Sequence, residues 1–294
     1  MARATEGRNA TTANVCEYRA FPTPVKTRSM VILALDTTTA HGSLALARDG
    51  RLLEAATGDP AVRQGQRLPG DIEAVLARHG LTTASVDRYV VALGPGSFTG
   101  LRVGIATIQA LALVHGRPVV GLSVMDTLVD VATRSRPRHG GPGGPEVVIP
   151  WVDAKRGEVF AAMYGPESND TPGSTWAVLD GPVALAPDAL LDRWADTVSA
   201  RRVLVIGDGV PETRALLDAR LSPGWLCVDQ LPPLAGVMAV MAGVEPWSEQ
   251  SVMPHALRPV YVRRHYAALA RDKMHTASQS GDRTDTDSES DPPA

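Results

Sequence analysis

Cysteine is nearly missing from this 294-residue chain: only Cys16 and Cys227 occur. They are far apart and lack metal-type spacing, which removes both a disulfide framework and a zinc site and fits a reducing cytoplasm. One-sided charge is missing too. Lys and Arg number 29 against 32 Asp and Glu, a formal net charge of -3, so no strong field draws nucleic acid or membrane to the surface as a whole. Any contact with nucleic acid is then weak, local or made through a partner. No run of about 18 apolar residues stands out, so no membrane span is expected. The histidines are His41, His79, His115, His139, His255, His265 and His275. No two are four apart, so no H-x-x-x-H pair can present two imidazoles to one metal from a helix. Residues 1–29 lack an apolar core ahead of a cleavage site, which excludes a secretory signal. Because Met30 directly precedes the first strong strand, residues 1–29 read as a disordered extension or one ahead of the true start codon.

What is present is an ordinary globular balance, 44% apolar and 21% charged, on a length that holds one large or two ordinary domains. Met30-Val-Ile-Leu-Ala-Leu-Asp36 is a continuous apolar run with the pattern of a buried strand. Gly42–Ala47 and Arg51–Ala56 follow as strands separated by an Asp49-Gly50 turn, completing an antiparallel meander. Leu68–His79 predicts a helix whose Leu68, Ile72, Val75 and Leu76 share one face, stopped by Gly80. Asp87–Leu93 is another buried strand. It enters the glycine-rich segment Gly94-Pro95-Gly96-Ser97-Phe98-Thr99-Gly100, and Leu101–His115 then predicts a helix that is apolar almost all round. Val119–Leu122 and a Ser123-capped helix to about Ala132 close the first half.

Arg134–Pro145 is too rich in Gly, Pro and Arg for regular structure and marks the boundary between halves. A second meander follows, Val147–Asp153 and Glu158–Tyr164 about a turn at Ala154–Gly157. Its likeness to the first predicts a duplicated βββαβα unit. The strand Arg202–Ile206 enters Gly207-Asp208-Gly209. Helices are expected near Pro211–Leu217 and Ala235–Ala242. The expected domains are an N-terminal lobe over 30–133, a linker over 134–145, a C-terminal lobe over 146–266 and a disordered acidic tail over 267–294.

Three segments carry candidate chemistry. Asp36 at a strand end, followed by Thr37, Thr38 and Gly42, matches a phosphate-facing hairpin in which a carboxylate positions hydrated Mg²⁺. It equally matches an Asp capping its own turn. Gly94–Gly100 is not a Walker loop, because no Lys-Ser/Thr pair follows the last glycine. Nor is it a dinucleotide fingerprint, because the third glycine arrives one residue late. Ser97 lacks the flanking glycines of a hydrolase nucleophile elbow. What remains is a tight strand-to-helix turn built on Gly94, Gly96 and Gly100, with Ser97 or Thr99 as helix cap. Gly207-Asp208-Gly209 suits an adenine or ribose pocket, or a simple turn. An apolar helix with small residues at Gly104, Ala106 and Ala110 belongs either to a core or to a close helix–helix interface between chains.

Taken together, ILALDTTTAHGSLAL, ALGPGSFTGLRVGIATIQALA, VDAKRGEVFAAMY, IGDG and RPVYVRR occur in the order and spacing of the TsaB family. The resemblance runs from about Met30 to Arg264, with GPGSFTGLR the most specific part. It implies an α/β fold of two RNase-H-like lobes in the actin, Hsp70 and sugar-kinase (ASKHA) class, with mixed sheets flanked by helices. It further implies a non-catalytic, cytoplasmic subunit of the machinery that makes tRNA N6-threonylcarbamoyladenosine. The paralogue TsaD transfers the group using a metal held by an H-x-x-x-H pair, TsaE is an associated ATPase, and TsaC makes the adenylate.

The family pairs with TsaD through N-lobe helices, or with a second copy when alone, and meets tRNA indirectly. On this chain the implied interface residues are Leu68, Ile72, Val75, Leu76, Leu101, Gly104, Ile105, Ile108 and Leu111. Asp36, Thr37, Thr38, Gly42, Gly207, Asp208 and Gly209 would be a vestigial nucleotide site, with no cofactor and no metal expected on the isolated chain. The competing reading is an ATP-dependent kinase or transferase of the same fold class that uses those seven residues.

Overall fold

The computed structural model describes residues 29–134, 144–167, 176–220 and 224–263. The expectations for the extension at 1–29, the linker at 134–145, the end of the C-terminal lobe and the tail at 267–294 fall wholly or mostly outside those residues. The first lobe is β1 (Val31–Asp36), β2 (Ser43–Arg48), β3 (Arg51–Thr57), α1 (Gln64–Arg78), β4 (Arg88–Gly94), α2 (Phe98–His115), β5 (Val119–Ser123) and α3 (Val124–Arg134). The second is β6 (Val147–Lys155), β7 (Glu158–Pro166), β8 (Trp176–Leu185), α4 (Pro187–Val198), β9 (Val203–Ile206), α5 (Val210–Arg220), β10 (Leu226–Val228) and α6 (Leu234–Met241). The short strand β11 (Ser251–Val252) follows.

The sheets run β11-β5-β4-β1-β2-β3 and β10-β9-β6-β7-β8. In the first, β1 is antiparallel to β2 and parallel to β4. In the second, β6 stands in the same relation to β7 and β9. Each lobe therefore carries a meander, then helix, parallel strand, helix, parallel strand. The expected duplication is present.

Two-fold periodicity, with both faces of the strand buried, explains why β1 is apolar at every position from Val31 to Leu35. Val31, Leu33 and Leu35 face a cluster with α1 and α2. Ile32 and Ala34 face a second cluster that takes in both sheets. Helices α3 and α6 fill the space between the sheets, α6 packing on β1, β2 and β3, and α3 on β6 and on β4 and β5. All eight residues of α6 are buried, which is why its sequence is apolar without periodicity.

Helix α1 starts at Gln64, four residues before the expected Leu68, because its first turn is polar and Pro69 lies inside it. Helix α2 starts at Phe98 rather than Leu101. By length and composition α2 could cross a membrane; in the fold its Leu101, Ile105, Ile108 and Ala112 are buried. Elements β8, α4, β10 and β11 were not expected. In β8 the pair Gly181-Pro182 disguises a strand, and an edge position lets the proline stand, since one side of the strand needs no ladder bond.

Candidate functional site

The turn after β1 is closed on itself. Asp36, Thr37 and Thr38 are all buried. The Thr38 N–H and hydroxyl both donate to Asp36 Oδ1, at 2.9 and 2.6 Å. The Gly42 N–H donates to Thr39 Oγ1 at 3.1 Å. Two of the turn's backbone donors that could meet a phosphate are thus spent within the turn. Burial pushes the Asp36 carboxyl above the usual carboxylate range, only partly offset by the two bonds from Thr38. From outside, α1 adds a cover: Gln64 Nε2 donates to the Thr39 carbonyl at 2.7 Å, and the Arg67 guanidinium donates to the His41 carbonyl.

The glycine-rich turn sits directly against this hairpin. Ser97 caps α2, its Oγ accepting from the Gly100 N–H at 3.2 Å, and the Ser97 N–H donates to the Thr38 carbonyl at 2.8 Å. A Cβ on Gly100 would lie 2.0 Å from the Thr37 carbonyl oxygen, and one on Gly104 would lie 2.2 Å from Thr37 Oγ1. Thr37 Oγ1 itself donates to the Gly100 carbonyl at 2.8 Å. The signature GPGSFTGLRVG thus records close approach of two backbones: only glycine lets the first two turns of α2 rest on the Thr37–Thr38 peptide. Gly94 lies one step earlier, against Leu101 and the Val260 carbonyl. Thr99 is exposed on the first turn.

The second lobe repeats the arrangement. A Cβ on Gly207 would lie 2.0 Å from the Trp151 carbonyl oxygen, and the Gly209 N–H donates to that oxygen at 3.0 Å. Asp208 Oδ1 accepts from the Asp153 N–H at 3.1 Å. Gly207-Asp208-Gly209 therefore seats α5 on β6. Burial raises the Asp208 carboxyl, and the charges of Asp153 and Asp36 add to that rise. Asp36 is thus felt from the other lobe. Lys155 pairs with Asp153 and lies near Asp208. Among the described residues no three His, Cys, Asp or Glu side chains gather to hold a metal ion.

The structure places the residues expected at a partner surface within the chain's own core. Leu68, Ile72, Val75, Leu76, Leu101, Gly104, Ile105 and Ile108 are buried within the chain itself, and Leu111 is half-buried. The reason is that a helix lying on a sheet turns its largest apolar side chains to its own sheet. The outward face is a second stripe: Gly65, Pro69, Gly70, Ala74 and Ala77 on α1, and Ala106, Ala110, Leu113 and Val114 on α2. Leu113 is 59% and Val114 78% exposed. Beside α2 lies the segment 253–263, held by Gln109 Nε2 to the Pro254 carbonyl at 2.8 Å and by the Val260 N–H to the Leu93 carbonyl at 2.7 Å. Tyr261 stacks on Phe98 at 5.1 Å between ring centroids.

Twelve large apolar side chains are exposed among the described residues. Eight of them, Val62, Phe98, Leu113, Val114, Val252, Met253, Val260 and Tyr261, belong to the lead into α1, to α2, or to the stretch 252–261 beside it. Sequence reading singled out Ala106 and Ala110 as residues for close helix approach but missed Leu113, Val114 and the stretch 252–261, although the all-round apolarity of α2 carried the signal.

Two sheets of one strand order, each with a helix seated by glycines on the turn or strand beneath it, define a protein of the duplicated RNase-H-like class to which actin-like proteins and sugar kinases belong. The model of the family described as TsaD, tRNA N6-adenosine threonylcarbamoyltransferase, matches residues 63–178. TsaB, the tRNA threonylcarbamoyladenosine biosynthesis protein of Escherichia coli (strain K12), is 31% identical over 164 residues. That match covers 56% of this chain and 66% of the relative, just under two thirds of its length. The Haemophilus influenzae protein of the same name is 25% identical over 240 residues, covering 80% of this chain and 94% of that one. The crystal structure of YeaZ from Pseudomonas aeruginosa has a TM-score of 0.59 at 26% identity, covering 79% of this chain and 100% of that one. The chain belongs to the TsaB family.

Proposed function

We propose that this chain is the non-catalytic scaffold of a cytoplasmic complex that makes tRNA N6-threonylcarbamoyladenosine. In this reading it pairs with a TsaD-like catalytic subunit, acts with a TsaE-like ATPase and meets tRNA through the assembly. The observation that carries the reading is the outward α1–α2 face. Its small residues let a second pair of helices approach closely, and Leu113 and Val114 supply the exposed apolar area. Burial of several hundred Å² at about 25 cal/mol per Å² supports a specific pairing, less the costs of association. Two copies of the chain would use the same face when the catalytic subunit is missing.

Two observations support a role without chemistry. The sequence holds no H-x-x-x-H pair of the kind the catalytic paralogue uses. The hairpin at Asp36, which a kinase or transferase would need open to phosphate, spends the Thr38 and Gly42 donors internally. We therefore assign no nucleotide to the isolated chain and treat its hairpin as vestigial. Calorimetry tests both halves of the proposal. Mixing with the TsaD-like subunit is expected to give saturable heat at micromolar or lower concentrations, and ATP with Mg²⁺ to give none. Micromolar ATP binding with turnover by the chain alone would replace this reading with the kinase one.

A further inference from the structure

The geometry points to Thr37 as a positioning residue: its buried hydroxyl fixes the seat of α2 on the sheet and, through α2, the shape of the face offered to the catalytic subunit. This inference rests on the pairing proposed above. Thr37 is fully buried, and a polar group in that position is retained at a cost unless it is bonded. Its one hydroxyl proton goes to the Gly100 carbonyl at 2.8 Å. That carbonyl lies in the first turn of α2, so the bond ties the helix to the end of β1. The same oxygen lies where a Cβ of Gly104 would come within 2.2 Å. The hydroxyl thus holds α2 down at Gly100 and stands it off at Gly104, one turn later. A tether and a spacer on one atom set both the height and the tilt of the helix. The residue that a phosphate-binding hairpin would turn to a ligand here takes a helix as its ligand. Packed interfaces are sensitive to such placement because their density matches that of a protein interior.

The test uses the full chain and the TsaD-like subunit. Thr37→Val keeps the shape and deletes the bond, whereas Thr37→Ser keeps the bond. We expect Thr37→Val to weaken pairing on the order of tenfold and Thr37→Ser to stay within about twofold of the parent. Equal affinity of Thr37→Val and the parent overturns the inference, as does a loss in Thr37→Ser equal to that in Thr37→Val.

Should Thr37→Val not fold, Gly104→Ala provides the second route. It is expected to weaken pairing by driving α2 outward, and Thr37→Ala/Gly104→Ala to recover the part of that loss due to the clash while staying weaker than the parent, because it also lacks the bond to Gly100. A double variant no better than Gly104→Ala alone overturns the inference. Should the parent chain fail to pair at all, the functional proposal fails separately. Hydrogen exchange on the isolated chain then decides the positioning claim. Thr37→Val is expected to speed exchange in α2 on the order of tenfold relative to Thr37→Ser, with α4 and α5 unchanged; unchanged α2 exchange overturns it.

Discussion

Changing Leu113 to Asp, beside the same change at Ile108, separates the outward face of α2 from its inward one. Leu113 is 59% exposed. Full burial of a leucine contributes about 1.5–3 kcal/mol, so completing its burial against a partner would contribute about 1–2 kcal/mol. An aspartate there forfeits that term and brings a carboxylate whose desolvation costs several kcal/mol more. The sum exceeds about 3 kcal/mol, a loss in affinity of more than about 100-fold.

The isolated chain should barely notice, because exposed substitutions stay within about 0.5 kcal/mol. An aspartate in the last turn adds an unfavourable dipole contribution of about 0.3–1 kcal/mol. Leu113→Lys reverses the sign of that contribution while still placing a charge on the face. Both variants are therefore expected to pair weakly, yet to shift the melting temperature in opposite directions.

Ile108 is fully buried in the first-lobe core. An aspartate there combines a cavity of about 2–5 kcal/mol with an unpaired buried charge, which approaches or exceeds the roughly 5–15 kcal/mol stability of a domain. That variant should not fold. Calorimetry with the TsaD-like subunit and a thermal melt of each chain are the assays. If Leu113→Asp and Leu113→Lys both pair like the parent, the partner does not dock on this face.

Three further outcomes follow from the same geometry. Asp36→Asn keeps an oxygen acceptor for the Thr38 N–H and hydroxyl and removes a buried charge. Because burial raises the Asp36 carboxyl in the folded chain, the parent loses stability as pH rises from the unfolded carboxylate range through the folded value. The urea midpoint of Asp36→Asn relative to the parent should therefore be higher at pH 7 than at pH 4. The second lobe behaves in the opposite sense. The Arg193 guanidinium and the Trp194 indole hold the Asp180 carboxyl down at about 2. Its stabilisation is present above the usual carboxylate value and is lost as pH falls toward 2. The gap in melting temperature between parent and Asp180→Asn should close over that window. Gly100→Ala sets a methyl 2.0 Å from a backbone oxygen, so a loss at or beyond the roughly 3 kcal/mol upper end for overpacking is expected in denaturant unfolding.

Much of the fold could be read in advance, because buried parallel strands write themselves as apolar runs. Val31–Asp36, Arg88–Gly94 and Val203–Ile206 stand within a residue of their expected positions. The duplication was legible because two meanders each open on such a run ending near an aspartate. Strand β8 was hidden by a Gly-Pro pair that only an edge accommodates. Strands β10 and β11, of three and two residues, have a register that neighbouring strands impose rather than their own composition.

The burial of the apolar stripes of α1 and α2 within the chain was the instructive difference. Helical periodicity in α1 selects Leu68, Ile72, Val75 and Leu76, and the same periodicity describes a helix on its own sheet as well as one on a foreign helix. Which of the two holds depends on the sheet beneath, and that information lies in β1, β2 and β4. The glycines of GPGSFTGLRVG were visible as a turn. Their reason, the peptide of Thr37 pressed against α2, lies about sixty residues upstream and needs the tertiary structure.

The most direct test is the threonylcarbamoyladenosine content of total tRNA, by mass spectrometry, from cells depleted of this chain and supplied with a variant in its place. The account predicts that Asp36→Asn restores the modification to the parental level and that Leu113→Asp, folded and expressed, does not. Restoration by Leu113→Asp together with failure of Asp36→Asn would contradict it, since the hairpin rather than the helical face would then carry the work.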